Sequence, residues 1–239
     1  MIFFSPIMSI LGIYVLAAVL PAFFLLRYIY KMDTVEKEPA YLLWALLLAG
    51  VWAALASILL ESVGSTILDS TLDRNDPNYY IIFAFLVVAV VEEGTKLFFL
   101  KRRSWRDPNF NFMFDGIVYS VFVSLGFAAF ENIKYVFTYG LSVAMPRALL
   151  AVPGHLGFAV FMGIFYARAK KYELMGNHGK SKENLILGYL SAVALHGFYD
   201  SCCFIGTGLA NLIFLAFVAV MYVVVYRLVK NAAYGDRPM

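Results

Sequence analysis

The stretch Val87-Val88-Ala89-Val90-Val91-Glu92-Glu93-Gly94-Thr95-Lys96-Leu97-Phe98-Phe99-Leu100 decides how the chain is read. Two adjacent carboxylates and a lysine lie inside a run otherwise apolar enough to cross a bilayer. An ionisable group at that depth costs about 2.5–3.5 kcal/mol on insertion scales and normally faces protein or a water-filled cavity. Glu92 and Glu93 are therefore the first candidates for a functional site. The plainer reading is a Glu–Lys pair that only neutralises itself, and it leaves the second glutamate unexplained.

Outward from that stretch the chain stays apolar. Of its 239 residues 62% are hydrophobic and 15% charged, with a mean hydropathy of +0.76; soluble domains carry about 25% charged residues. Such totals describe a membrane protein. The 22 Phe and 16 Tyr suit lipid-facing surfaces and interfacial belts. The net charge of +3 comes mostly from loops. With no stacking platform or basic groove, nucleic acid is not an expected partner. Cys202 and Cys203 are sequence neighbours without the spacing of a zinc knuckle or redox motif, and read as small apolar residues near a helix end. Met1 to Leu26 has no basic residue ahead of its apolar run and no small-residue cleavage site, so it reads as a retained first span.

About 20 apolar residues cross the hydrocarbon core. That rule gives seven spans: Ile7–Leu26, Tyr41–Leu60, Tyr80–Leu100, Phe114–Phe137, Ala148–Ala167, Leu185–Phe204 and Leu209–Val229. Each must be helical, because a lone strand cannot satisfy its backbone in lipid. The expected fold is all-α, a polytopic bundle of seven transmembrane helices. One membrane domain fills residues 1–239, with a catalytic core at about 80–204. Most of the 19 basic residues fall on one side: Arg27, Lys31 and Lys37; Lys101 to Arg106; Arg168 to Lys182; and Arg227, Lys230 and Arg237. The opposite loops hold Arg74 and Arg147. The positive-inside rule then places the N-terminus outside and the C-terminus in the cytoplasm of a cell membrane. Glu61 to Asn78 reads as an acidic external loop, and Lys170 to Glu183 as a flexible cytoplasmic link.

Polar groups cluster on spans three to six. Span three has Glu92, Glu93 and Lys96; span four has Glu131, Asn132 and Lys134; span five has His155; span six has His196 and Asp200. Glu92 and Lys96 are four apart and share a face in the favourable acid-first order, while Glu93 points about 100° away. His196 and Asp200 are also four apart, so a carboxylate can hold one ring nitrogen and leave the other for chemistry or metal. Glu131-Asn132 follows Gly126-Phe127-Ala128-Ala129-Phe130, whose small residues allow close helix approach, and Asn132 could donate to an oxyanion. Pro153 and the glycines around His155 can open room for water. Asp115 reads as an N-cap. At 1.5 Å per residue Asp200, Glu131, His155 and His196 lie roughly 6–12 Å from the external ends, and Glu92 and Glu93 about 18–20 Å. The site should open toward the external half.

Taken in order, Glu92-Glu93-x-x-Lys96, Phe127-x-x-x-Glu131-Asn132, a lone His155 and His196-x-x-x-Asp200 resemble the PrsW family of bacterial intramembrane proteases, relatives of the type II CAAX prenyl endopeptidases. The resemblance covers about Tyr80 to Phe204 and extends to Asp115-Gly116-Ile117-Val118-Tyr119. Glu131 stands where the second CAAX motif has histidine, and Asp200 where the last often has asparagine. The resemblance implies peptide-bond hydrolysis in or near the membrane. The implied substrate is a single-span membrane protein such as an anti-sigma factor, cut on its external side as the first step of a signalling cascade.

Two chemistries fit these residues. In one, a glutamate deprotonates water directly while His155, His196 or Asn132 stabilises the oxyanion, with no cofactor. In the other, Glu93, His155 and His196 hold a divalent ion, zinc, with one position left for water. The metal-free route is preferred, since no His-Glu-x-x-His is present. By family analogy Glu92 is the base, although Lys96 can reach either glutamate. The competing function is a proton-coupled transporter using the same buried Glu, His and Lys, against which the chain shows no repeat halves. A seven-span receptor and a non-catalytic chaperone fit the four polar central helices less well.

Overall fold

Long apolar runs leave the backbone no partner in lipid but itself, and the chain folds accordingly. The computed structural model describes residues 6–239; Met1–Ser5, the start of the segment read as a retained first span, lie outside the described residues. In order come α1 (Pro6–Met32), α2 (Ala40–Thr71) and α3 (Tyr79–Ile82), the last continuing through a π-helical stretch Phe83–Ala89 into α4 (Val90–Ser104). Next are α5 (Asp115–Tyr139), a 3-10 turn Leu141–Val143 and α6 (Ala144–Pro146), which runs through a second π-helical turn Arg147–Ala151 into α7 (Val152–Leu174). The chain ends with α8 (His178–Ile205) and α9 (Gly208–Tyr234). Among the described residues there is no strand, only an isolated bridge between Phe112 and Pro238.

Each expected span falls on its own helical rod. Five rods are long and apolar enough to cross a membrane: Ile10–Met32, Ala40–Thr71, Asp115–Tyr139, Leu141–Leu174 and Gly208–Tyr234. The other two, residues 79–104 and α8, carry Glu92, Glu93, Lys96, His196 and Asp200. α5 is the central post: 78% of its most apolar window is buried, against 11% for α1. The small residues of α5 bring α2 against it. A Cβ at Gly126 would overlap the Leu47 carbonyl, and one at Gly50 would overlap the Val123 carbonyl. On its other side, a Cβ at Gly116 would lie 2.6 Å from the Gly163 carbonyl of α7.

Three local expectations are corrected. α2 continues to Thr71, so the loop is only residues 72–78 and Glu61 belongs to a helix. The polar residues do not stop the helix because their hydroxyls bond back to its own carbonyls, as Thr66 does to Ser62 at 2.8 Å and Thr71 to Ile67 at 3.0 Å. The Lys170–Glu183 segment is not a flexible link but two helix ends joined by a tight turn. Gly176 supplies φ +74° there, and Asn177 accepts the Lys180 N–H at 3.1 Å to start α8. Asp115 does not cap α5. Its buried Oδ2 instead accepts the backbone N–H groups of Asn111 at 3.0 Å and Phe112 at 2.6 Å, fixing the loop ahead of the helix.

That loop is strapped to the C-terminal segment. Met113 N–H donates to the Arg237 carbonyl, Met239 N–H to that of Asn111, and Phe114 N–H to Asp236 Oδ1. Asp33 and Glu38 are buried at the same end of the bundle, and neither oxygen of Asp33 has a hydrogen-bond partner among the described residues.

Replacing Gly126 by leucine should cost roughly 1–3 kcal/mol or more by overpacking the α2–α5 crossing, read as a lower unfolding temperature in detergent. A substitution with no effect would contradict that close approach. Burial raises the Asp33 carboxyl from 3.8 to about 6, with Lys37 opposing and Asp236 adding. The folded chain thus holds this proton more tightly than the unfolded chain. The resulting stability is complete below 3.8 and lost as pH rises through about 6. Asp33→Asn should flatten the fall of unfolding temperature across that window; an unchanged slope would count against it.

Candidate active site

The site begins where the π-helical stretch Phe83–Ala89 hands over to α4. A wider turn of this kind shifts the phase of the residues after it and recurs at functional sites. The junction is tied on two sides. The Tyr189 hydroxyl of α8 donates to the Val90 carbonyl at 3.0 Å, and Ser57 of α2 pairs with Thr95 at 2.7 Å. Gly197 admits the Phe85 ring where a Cβ would collide with it. The neighbouring His196 is thereby brought up to α4.

Lys96 organises the polar cluster. Its Nζ lies 3.0 Å from Glu92 Oε2, 2.8 Å from Glu93 Oε1 and 3.2 Å from His155 Nδ1, and 4.0 Å over the Phe127 ring. An ammonium has three hydrogens and no acceptor, so three acceptors saturate it. His155 Nδ1 must then present its lone pair, and its proton resides on Nε2, which donates to Glu131 Oε2 at 3.1 Å. Ser124 donates to the His155 carbonyl at 3.0 Å, fixing the ring's helix against α5. Arg147, from the second π-helical turn, donates to Glu131 Oε2 at 2.7 Å and Asn132 Oδ1 at 2.6 Å and lies over Tyr135.

His196 completes the group. Its Nδ1 lies 2.8 Å from Glu93 Oε1 and its Nε2 3.4 Å from Asp200 Oδ2 and 3.9 Å from Glu92 Oε2. Carboxylate oxygens thus flank both ring nitrogens. Phe158 stacks on it at 4.8 Å. Asp200 is therefore the looser partner, and the closer hold on the ring comes from Glu93.

A cavity of ≈ 440 Å³ opens beside these groups, at the end of the bundle carrying loops 72–78 and 206–207. Glu61, Glu92, Glu131, His155, His196 and Asp200 line it. Glu93 lies behind, 1% exposed, with Oε2 unpartnered among the described residues. The two glutamates thus have different surroundings: Glu92 faces the cavity, and Glu93 holds Lys96 and His196.

The structure brings Glu92, Glu93, Lys96, His155, His196, Glu131 and Asp200 together in one connected cluster. Asn132 is corrected: it is fully buried and absent from the cavity lining, donates to the Ala18 carbonyl at 2.8 Å and accepts from Arg147, so it is not placed to meet an oxyanion in the cavity. Arg147 and Glu61, read as loop residues, reach the cavity.

Among the described residues the compact metal-type donor set is Glu92, Glu93 and His155, each with a ligand atom within 4.8 Å of the others; Glu92 takes the place expected of His196. Two carboxylates and an imidazole are suitable zinc donors. The Lys96 ammonium is within hydrogen-bond distance of all three, so the residues as arranged do not accommodate an ion.

Arg147→Ala should destabilise the chain by about 1.5–3 kcal/mol, because Glu131 and Asn132 each lose a charge-assisted bond. Arg147→Lys should recover only part of this, having no fork to span both. Unfolding temperatures check the order, and an alanine variant as stable as the parent would refute the bridge.

Comparison with known proteins places the chain in a family. Residues 38–228 match the family model described as PrsW family intramembrane metalloprotease. The protein named Protease PrsW in Oceanobacillus iheyensis is 33% identical over 220 residues, covering 90% of this chain and 94% of the relative. That of Clostridioides difficile is 30% identical over 211 residues, covering 87% and 86%. That of Bacillus subtilis is 32% identical over 199 residues, covering 83% and 84%. No solved structure matches. The chain belongs to the PrsW family of intramembrane proteases, a multi-pass membrane protein with the acids and imidazoles of four helix rods gathered at one cavity.

Proposed function

We propose that this chain cleaves a peptide bond of a single-span membrane protein, with Glu92 as the base that activates water. The observation that carries this reading is the difference between the two glutamates: Glu92 lines the cavity and Glu93 does not. A water in the cavity hydrogen-bonded to Glu92 loses a proton to the carboxylate as its oxygen attacks the scissile carbonyl carbon. The same carboxyl then returns that proton to the departing amide nitrogen. His196, lining the cavity with Nε2 only loosely held, is placed to donate to the developing oxyanion. Lys96 holds the Glu92 carboxylate in place, Glu93 orients His196, and His155 positions Lys96.

The family description includes a metal. The residues here leave no room for one while Lys96 is in place, and the steps above use only the chain's own groups. The basic residues at the C-terminal end of the bundle support a seven-span arrangement with the C-terminus in the bacterial cytoplasm and the N-terminus outside. The cavity then opens to the extracytoplasmic half. A single-span substrate such as an anti-sigma factor, as the motif resemblance implies, would be cut there.

Glu92→Gln keeps the shape and removes the base. Cleavage of a co-expressed membrane substrate should fall by about 10²–10⁴-fold with the variant still folded. Parental cleavage by folded Glu92→Gln would refute Glu92 as the base. If Glu92→Gln, Glu93→Gln, His155→Ala and His196→Ala all retained cleavage, the protease assignment of this cavity would fall.

A further inference from the structure

Three groups suited to bind a divalent ion converge on one point, and a side chain of the same protein already occupies it. Glu92 Oε2, Glu93 Oε1 and His155 Nδ1 surround the Lys96 Nζ at 2.8–3.2 Å. Lys96 is 2% exposed, so no bulk water competes for the position. The Phe127 face, 4.0 Å from Nζ, adds a further attraction for a cation. All three hydrogens of the ammonium have an acceptor, so the site is satisfied as it stands.

We infer that the Lys96 ammonium is the resident cation of the Glu92–Glu93–His155 triad, and that ammonium and divalent metal exclude one another there. Lysine and zinc ask the same thing of these groups: ionised carboxylates and an imidazole lone pair on Nδ1. Glu131 supports either occupant, because its bond to His155 Nε2 fixes that tautomer. Shortening Lys96 removes the charge and opens space among three donors that would otherwise be left as uncompensated buried groups. The open triad, with two carboxylates, one imidazole and a position for water, has the composition of a zinc site. The identity of the resident cation is independent of whether the cavity cleaves peptides.

The test measures metal rather than activity. Full-length parent, Lys96→Ala and Lys96→Ala/His155→Ala proteins are purified in detergent, exposed to Zn²⁺ or Co²⁺, desalted and assayed for bound metal. Co²⁺ absorption reports its ligands. The parent should retain no ion that depends on His155, and chelator should leave its unfolding temperature unchanged. Lys96→Ala should retain stoichiometric metal, show tetrahedral Co²⁺ bands and be stabilised by the ion. The double variant should lose all three effects. A parent retaining stoichiometric metal that is lost on Glu92→Gln or His155→Ala overturns the inference. So does a folded Lys96→Ala that gains none. If Lys96→Ala folds only in zinc-supplemented medium, that supports it, and the parent measurement remains decisive where the variant cannot be purified.

Discussion

One ammonium holds the centre of this protein together. Lys96 bonds two carboxylates of its own helix and an imidazole of α7, in a setting that is 2% exposed. A buried ion pair contributes little net stability once desolvation is counted, yet removing one partner costs about 3–5 kcal/mol because the other is left uncompensated. That asymmetry explains why the arrangement is exacting. Both glutamates have the same ammonium within bonding distance. The cation in turn fixes where the proton on His155 resides.

The same constraint spreads outward. His155, committed to Lys96 through Nδ1, donates its remaining proton to Glu131, which also accepts from Arg147, and Arg147 in turn donates to Asn132. Glu93 engages His196, which Asp200 supports from the next turn of α8. Acid and base alternate across four helix rods. Within this network each charge is met by an opposite charge or a hydrogen bond. Glu92, unlike Glu93, lines the cavity, which is why a chain of structural bonds can also support chemistry at one end.

Much of this was legible in the sequence because two rules are strict in membranes. Apolar length sets the rods, and ionisable residues inside them must find one another, so Glu92, Glu93, Lys96, His155, His196 and Asp200 could be grouped from their positions in the chain. Gly126 was legible as a close-approach residue for the same reason. The roles of the two glutamates were not, because the phase of α4 depends on a π-helical stretch that spacing alone does not reveal. Arg147 and Glu61 were assigned to loops because a hydropathy window ends where charge begins, whereas the helices continue past it. Asn132 misled because its partners, the Ala18 carbonyl and Arg147, come from elements distant in sequence. Asp115 looked like a cap by position and instead ties down a loop.

The decisive quantities are which nitrogen of His155 carries the proton and what its neighbour donates. Nitrogen NMR of histidine-labelled protein in bilayers reads this directly for His155, with His178 and His196 assigned by substitution. The arrangement predicts a neutral His155 protonated at Nε2, its Nδ1 lone pair unchanged by chelator and perturbed when Lys96 is replaced. A His155 protonated at Nδ1, or an Nδ1 signal that shifts when metal is stripped from the parent protein, would contradict it.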